Sequence, residues 1–307
     1  TTFIRSATRM VMTMSCWTSP AASNRPTFAA TIVRGFGPKR REPIRMKRAS
    51  VGTITPPSLT PCRSGSTPTT WTGDAAVRFL NSYARQQPFF LKVSFARPHS
   101  PYDPPERLWK RYANADLPPA RVGKWAPAKY APRSWDRDDI WHGDMGPEAV
   151  RRARIGYYGS VTFIDEQIGR ILEALEKRRW LDQTLIVFIS DHGDMTGDHH
   201  LWRKSYAYEA SARIPFLLRW PEGLISARRG QVRSETVELR DILPTFLEAA
   251  GQSARPELDG RSLLPLLAGK AQWRPWLDLE HGVCYSKENH WNGLTDGKWK
   301  YIFNAYH

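Results

Sequence analysis

The chain has 307 residues, of which 41% are hydrophobic, so it can bury the core of one large domain or of two modest ones. It contains no apolar run of about 18 residues, and its start lacks the basic, apolar and small-residue order of a signal peptide. We therefore predict a globular protein without a membrane span. The three cysteines, Cys16, Cys62 and Cys284, show neither a metal-ligand spacing nor a disulfide framework, and they leave the redox compartment open.

The net charge of +15 is unevenly distributed, and this argues against a nucleic-acid partner. Up to Thr70 the chain has eleven Lys or Arg and one acidic residue, Glu42, whereas the remainder has 34 basic and 29 acidic residues. The basicity therefore belongs mainly to one segment. That segment lacks the patterned aromatic residues of a nucleic-acid-binding protein, so we rank this class low.

Residues 1–66 are rich in Thr, Ser, Pro and Arg and show neither helical nor alternating periodicity. Three interpretations remain open: a disordered basic arm, a poorly patterned start of a domain, or a stretch translated in the wrong reading frame. We favour the third, because the change to well-patterned sequence near Thr67 is abrupt.

After Thr67 predicted helices and strands alternate. Thr72 is the predicted cap of a first helix. A long irregular stretch, 97–147, is dense in Pro, Trp and Asp, and we expect it to wrap over a site. The predicted helices are Asp74–Ala84, Glu148–Arg179 and Asp241–Ala250, and the predicted strands are Phe89–Phe95, Leu185–Ile189, Ile214–Leu218 and Trp299–Phe303.

The alternation predicts an α/β fold with a mainly parallel central sheet flanked by helices. The continuous apolar run Leu185–Ile189 is typical of a strand buried on both faces. The strand at Trp299–Phe303 predicts a small antiparallel appendage at the C-terminal end. We expect boundaries near residues 67 and 271, which divide the chain into 1–66, 67–270 and 271–307.

Two polar clusters directly follow predicted strands, where open α/β sheets place ligands. The cluster Ser190-Asp191-His192-Gly193-Asp194 follows the buried strand Leu185–Ile189. An Asp leaving a buried strand needs a cation or several donors, and carboxylate oxygen with imidazole suits a metal. Asp191 and His192 are the candidate metal ligands, and a structural turn with a capping Asp is the alternative.

The second cluster, Arg97-Pro98-His99-Ser100-Pro101-Tyr102, follows strand Phe89–Phe95. His99 lies between prolines, in a stiff loop that suits a residue presenting one ring nitrogen to a substrate. Lys204 is a candidate anion-binding charge. Taken alone, a histidine is more often a packing residue and a lysine is usually solvated.

Together these segments resemble the sulfatase family of the alkaline-phosphatase-like superfamily, and the closing HGVCYSKENHWNGLTDGKWKYIF resembles its bacterial arylsulfatase branch in particular. The resemblance is carried by PFFLKVSFARPHSPYDPP, YYGSVTFIDEQIGRILEALE, TLIVFISDHGDMTGDHHLWRKSYAYEASARIPFLLRWP, DILPTFLEAAG and DGRSLLPLL, in that order from about Thr67. It implies that 67–270 is the later part of a catalytic α/β domain and that 271–307 begins a C-terminal subdomain. The implied function is hydrolysis of small-molecule or carbohydrate sulfate monoesters. A periplasmic or secreted location stays open.

The resemblance also implies roles for individual residues. Asp191 and His192 match the second pair of Ca²⁺ ligands, so half of the calcium site is present. Lys204 matches a lysine that binds the sulfate group. His99 matches a substrate-binding and catalytic histidine beside the scissile oxygen. His199 is only a candidate for contacting these residues without touching the metal or the substrate itself.

One departure from the family concerns the nucleophile. Sulfatases use a formylglycine made from the Cys or Ser that opens a C-x-P-S-R or S-x-P-S-R motif. The sequence contains no such motif, and neither Cys16 nor Cys62 is assigned as nucleophile. The early paired aspartates that complete the calcium site are also missing. We therefore expect an N-terminally incomplete or frame-disrupted sulfatase that is inactive as this chain.

Two alternatives to a sulfatase activity stay open. Within the same superfamily, the runner-up is a phosphodiester or phosphonate monoester hydrolase, which shares the metal site and differs in the substrate anion. The other is a non-catalytic remnant of such an enzyme.

Overall fold

The computed structural model describes residues 9–16, 29–30, 67–132, 141–282, 284 and 287–304. The strands are β1 (Arg9–Cys16), β2 (Ala29–Ala30), β3 (Phe89–Pro98), β4 (Thr184–Ser190), β5 (Phe216–Arg219), β6 (Leu277–His281), β7 (Trp291–Thr295) and β8 (Lys300–Asn304). The helices are α1 (Pro68–Ser82), α2 (Glu106–Ala113), α3 (Ala126–Lys129), α4 (Gly146–Lys177), α5 (Glu209–Ala212), α6 (Ile242–Ala249) and α7 (Leu263–Leu267). None of the helices in these ranges combines the length and the apolar content that a bilayer crossing requires.

Five strands form the central sheet, in the order β2-β3-β1-β4-β5. The α/β class is confirmed, but these strand pairs do not show the mainly parallel sheet that was predicted. β1 lies between β3 and β4 and is antiparallel to both, and β4 is antiparallel to β5. Only the pair of β2 and β3 is parallel. β3 and β4 still run in the same direction, because each opposes β1.

The predicted core strands and the long helix are confirmed. β4 is buried at all seven positions, and β3 alternates buried and exposed residues over most of its length. The apolar stripe of α4 packs on these strands and on α1. The most deeply buried side chains of this core are Leu80, Phe89, Leu91, Phe95, Ile164, Ile171, Leu175 and Trp202.

The predicted cap of the first helix was wrong. Thr67 caps α1, since its hydroxyl accepts a hydrogen bond from the Thr70 backbone N–H at 3.1 Å. Pro68 follows at the first helical position, where its missing N–H costs nothing. Thr72 lies inside the helix and donates its hydroxyl to the Pro68 carbonyl.

The C-terminal appendage is confirmed as a three-stranded antiparallel sheet, β6-β7-β8. The chain that leads to it is fixed by Asp241, which is fully buried and accepts two hydrogen bonds from Arg274, at 2.6 and 2.8 Å. The Arg261 backbone N–H donates to the same carboxylate at 2.8 Å. The domain boundaries near residues 67 and 271 stay predictions.

Two glycines in α4, Gly156 and Gly159, allow the segment that follows β3 to pack closely against this helix. A Cβ atom at Gly156 would collide with the backbone oxygen of Tyr102. One at Gly159 would lie 2.8 Å from the Pro104 ring. Tyr102 can therefore reach the end of β4 only because α4 has no side chain at Gly156.

We expect Gly156→Ala to lower the free energy of unfolding by about 1–3 kcal/mol, because a backbone atom must move to admit the methyl group. Gly169→Ala is the matched control in the same helix, where nothing lies within 4 Å of the added Cβ. That control should raise the free energy of unfolding by about 0.5–1 kcal/mol, since alanine favours a helix. Urea denaturation measures both, and equal effects would contradict the close packing at Tyr102.

Candidate active site

The two polar clusters predicted from the sequence meet at one edge of the central sheet. His99 follows β3, and Asp191 and His192 follow β4. Because β3 and β4 run in the same direction, their carboxyl ends lie on the same side. The rings of His99 and His192 are edge to face, with centroids 6.5 Å apart.

Lys204 completes this group through a direct contact with His99. The Lys204 Nζ lies 2.9 Å from the His99 Nε2, and the His99 Nδ1 lies 2.8 Å from the Ser100 carbonyl oxygen. The carbonyl accepts a hydrogen bond from the Nδ1–H, so Nε2 accepts one from the ammonium group and the ring is neutral. Burial lowers the pKa of His99, and the Lys204 charge lowers it further. Burial also lowers the pKa of Lys204.

The backbone around Lys204 is held against the loop that follows β4. The Met195 N–H donates to the Arg203 carbonyl at 2.7 Å, and the Gly197 N–H donates to the Leu201 carbonyl at 2.9 Å. Arg203 and Ser205, on either side of Lys204, have φ values of 65° and 82°. Such left-handed backbone is unfavourable for residues other than glycine and is concentrated at functional sites.

Asp191 and His192, the predicted metal ligands, hold two acceptor atoms close together. The His192 Nδ1 donates to the Gly193 carbonyl at 2.8 Å, so its Nε2 carries the lone pair. That nitrogen lies 3.6 Å from the Asp191 Oδ2. This separation is short enough for both atoms to contact one cation. Neighbouring ligands at about 2.4 Å from Ca²⁺ lie about 3.4 Å apart if they form a right angle at the ion.

The predicted calcium site is incomplete in the part of the chain that the structure describes. No group of three or more His, Cys, Asp or Glu side chains lies close enough there to hold an ion. Ca²⁺ takes about six to eight oxygen-rich ligands, and Asp191 with His192 supplies two. These residues fit part of a calcium site.

Sequence reasoning did not single out the buried pair of Asp194 and Tyr102. Asp194 is only 2% exposed and accepts hydrogen bonds from the Tyr102 hydroxyl at 2.8 Å and from the Thr196 N–H at 3.0 Å. Burial raises the pKa of Asp194, and the nearby His99 and His192, which would lower that pKa when protonated, have a smaller effect. Tyr102 belongs to the polar cluster after β3 and Asp194 to the one after β4, but the sequence does not show that either side chain is buried.

Arg203 is a second residue that sequence reasoning missed. Its Nε and Nη2 are buried and have no hydrogen-bond partner among the described residues. Its charge lies near Tyr102 and next to Lys204. Buried guanidinium nitrogens without an acceptor are costly. The place of Arg203 directly before Lys204 was the available signal.

His199 is not brought to this group by the contacts that the structure describes, whereas Cys284 lies close enough to Lys204 to interact with its charge. His199 stacks on Trp125 with centroids 5.3 Å apart, and its Nδ1 accepts from the Gly123 N–H at 3.0 Å. The Cys284 Sγ accepts a hydrogen bond from the Ser205 hydroxyl at 3.6 Å. Cys16 ends β1, and Cys62 lies outside the described residues.

Comparisons with known proteins agree with this fold. The protein-family model "Sulfatase" matches residues 35–252. The chain is 41% identical to an arylsulfatase of Clostridium perfringens over 215 residues, which are 70% of this chain and 45% of the relative. It is 33% identical to a choline-sulfatase of Rhizobium meliloti over 234 residues, or 73% of this chain and 44% of the relative.

A solved structure of a phosphonate monoester hydrolase from Silicibacter pomeroyi matches with a TM-score of 0.66 and 26% identity. The match covers 80% of this chain and 53% of that structure. Fold and site thus define a member of the alkaline-phosphatase-like superfamily. Within it, the chain belongs to the sulfatase family. It spans less than half of the length of the curated relatives named above.

We expect Lys204→Met to raise the pKa of His99, because the substitution removes a positive charge 2.9 Å from its Nε2. The pKa is measured by NMR titration of the histidine ring carbon signals. Lys110→Met, on an exposed face of α2, is the control and should leave the His99 pKa unchanged. An unchanged or lowered pKa in Lys204→Met would contradict the contact.

Proposed function

We propose that this protein is by family a sulfuric ester hydrolase of the arylsulfatase type, a class that cleaves sulfate monoesters with a bound calcium ion, and that this chain itself is inactive because the formylglycine motif is missing. The observation that carries the proposal is the contact of Lys204 with His99 beside Asp191 and His192. The Lys204 ammonium group and the imidazole rings of His99 and His192 lie together there, beyond the ends of β3 and β4. The similarity to an arylsulfatase and a choline-sulfatase supports sulfate as the group bound.

Lys204 and His99 are the residues proposed to hold the sulfate group. Lys204 is a compact charge whose ammonium group can donate to an anion. Charge-assisted hydrogen bonds are about twice as strong as neutral ones. The partly buried position of Lys204 weakens competition from water.

His99 is the proposed proton donor to the leaving oxygen. Its Nδ1 is engaged by the Ser100 carbonyl, so Nε2 is the nitrogen available to substrate. Without an anion, Nε2 accepts from Lys204 and the ring is neutral. A bound sulfate ester would compete for the Lys204 ammonium and favour protonation of Nε2, which could then donate to the ester oxygen.

Asp191 and His192 are the proposed calcium ligands of this chain. A bound Ca²⁺ would neutralise charge on the sulfate oxygens and polarise sulfur. The Asp191 carboxylate supplies a hard oxygen ligand. The hydrogen bond from His192 Nδ1 to the Gly193 carbonyl fixes the ring so that Nε2 faces Asp191.

The formylglycine nucleophile of the family has no counterpart that we can assign. Neither Cys16 nor Cys62 stands in the required motif, and Cys284 does not either. We therefore propose that this chain binds sulfate and metal but does not turn over sulfate esters. The loss of a covalent nucleophile costs many powers of ten in rate.

We expect the chain to bind inorganic sulfate in the presence of calcium. Lys204→Met should weaken this binding about tenfold or more, because a charge-assisted hydrogen bond is lost. Isothermal titration calorimetry measures the affinities, with Lys110→Met as the matched control. Equal affinity of the Lys204 variant and the control would contradict the proposed sulfate site.

We expect no hydrolysis of para-nitrophenyl sulfate above the rate in buffer, since no nucleophile is assigned. A rate that is saturable and lost in His99→Ala would overturn the proposed inactivity.

The runner-up is a phosphonate monoester or phosphodiester hydrolase, which the similarity to the Silicibacter pomeroyi structure favours. Calorimetry with phenyl phosphonate in place of sulfate discriminates the two functions. Tighter binding of the phosphonate at matched charge would favour the runner-up over a sulfatase.

A further inference from the structure

The C-terminal sheet contacts the segment that directly follows Lys204. The Trp291 indole N–H, on β7, donates to the Ser205 carbonyl at 3.0 Å. Lys300, on β8, donates to the Ala207 carbonyl at 2.7 Å. Two neighbouring strands thus hold one short stretch of chain, and the first of these contacts lies one residue beyond the lysine of the proposed sulfate site.

Ser205 has a backbone conformation that needs support from its surroundings. Its φ of 82° lies in the left-handed region, which is unfavourable for a residue other than glycine and persists only where neighbouring groups hold it. Ser205 is also buried, so water cannot readily replace the indole as the donor to its carbonyl. Loss of that donor would favour another conformation at Ser205, and this change would move Lys204.

The Trp291 ring is itself fixed within the C-terminal sheet. It is buried and stacks on His281, with centroids 5.8 Å apart and an angle of 11° between the ring planes. His281 lies opposite Trp291 in the pairing of β6 with β7, and its Nδ1 donates to the Asn289 carbonyl at 2.9 Å. The indole N–H therefore has a defined position before any anion binds.

The backbone on the other side of Lys204 is held by a different part of the chain. The Arg203 carbonyl accepts a hydrogen bond from the Met195 N–H at 2.7 Å, within the loop that follows β4. Lys204 is thus held by this loop on one side and by the C-terminal sheet on the other. Together these contacts account for the 2.9 Å separation between its Nζ and the His99 Nε2.

We propose that the C-terminal sheet positions Lys204 through Trp291, with Lys300 as a second contact, a proposal that rests on the proposed function. The hydrogen bond to the Ser205 carbonyl keeps the Lys204 ammonium group beside His99, where a sulfate group would bind. Trp291 is a positioning residue, since it acts through Lys204 and not by contact with the anion.

The first test measures sulfate affinity of the full chain by isothermal titration calorimetry in the presence of calcium. Trp291→Phe keeps an aromatic ring on β7 and removes the N–H donor, so it should weaken the binding of inorganic sulfate about three- to tenfold. Trp273→Phe is the matched control, because its indole N–H also donates to a backbone carbonyl, that of Thr236, at 2.7 Å. The control should bind sulfate as the unsubstituted chain does. Equal affinities of the two variants would overturn the positioning role.

A second measurement separates positioning from a general loss of stability. At fixed pH, the ¹⁵N NMR signal of the His99 Nε2 reports the hydrogen bond that this nitrogen accepts from Lys204. Trp291→Phe should shift the signal in the same direction as Lys204→Met does. In the Lys204→Met background, Trp291→Phe should add no further shift, because the ammonium group is already absent. An equal shift in that background would show another route to the site and would contradict the proposal.

Lys300→Met is the second variant, and it tests the proposal even if Trp291→Phe does not fold. It removes the hydrogen bonds to the Ala207 carbonyl and the Glu209 carboxylate, at 2.7 and 2.6 Å, and should change both measurements in the same direction. Lys298→Met, at an exposed position before β8, is its control with the same change of charge. A Lys300 variant that matches this control in both measurements would overturn the role of the C-terminal sheet.

Failure of the proposed function is a separate result. If inorganic sulfate does not bind, or binds equally to Lys204→Met and to the unsubstituted chain, the proposed function fails. The ¹⁵N signal of His99 still tests the positioning role in that case, since it needs no anion. A signal that is unchanged in Trp291→Phe would then overturn that role as well.

Discussion

The hydrogen bond between the Lys204 ammonium and the His99 ring is the contact on which the candidate site depends. It joins the loop after β3 to the segment beyond β4, across 105 residues of sequence. The lysine donates to Nε2, and the Ser100 carbonyl accepts from Nδ1, so one tautomer of His99 is selected. Both groups are partly buried, and burial lowers the pKa of each. An entering anion would find a cation and an imidazole already aligned.

Contacts around the site fix the positions of His99 and Lys204 relative to each other. Tyr102 donates to the fully enclosed Asp194, which links the loop after β3 to the loop after β4 a second time. Gly156 permits that link because it lets the Tyr102 backbone lie against α4. The loop from Asp194 to Arg203 is closed by backbone hydrogen bonds, which set the position of Lys204. The site thus combines long-range contacts with locally fixed backbone, as preorganised anion sites do.

Much of this was predictable from the sequence, because the signals were local. The buried run of β4 and the apolar stripe of α4 mark their elements, and a polar cluster after a buried strand marks a site. The predicted residues His99, Asp191, His192 and Lys204 do lie together in the structure, while their chemical roles stay proposals. The orphaned N–H groups of Arg203 and the enclosure of Asp194 were not predictable, since they depend on packing between distant segments.

The position of β1 escaped prediction for a related reason. Arg9–Cys16 lies in a segment without sustained periodicity, and its pairing with β3 and β4 is a tertiary contact that no local pattern records. The residue that caps α1 was also not predictable from local sequence. Several threonines precede the helix, and only the structure shows that Thr67 takes the capping position.

The central claim is that His99 and Lys204 together form an anion site beside Asp191 and His192, the proposed metal ligands. A crystal structure of the chain grown with sulfate and calcium tests it most directly. The account predicts one sulfate ion within hydrogen-bond distance of both Lys204 Nζ and His99 Nε2, with calcium bound by Asp191 and His192. A sulfate bound elsewhere, with the contact of Lys204 and His99 unchanged, would contradict it.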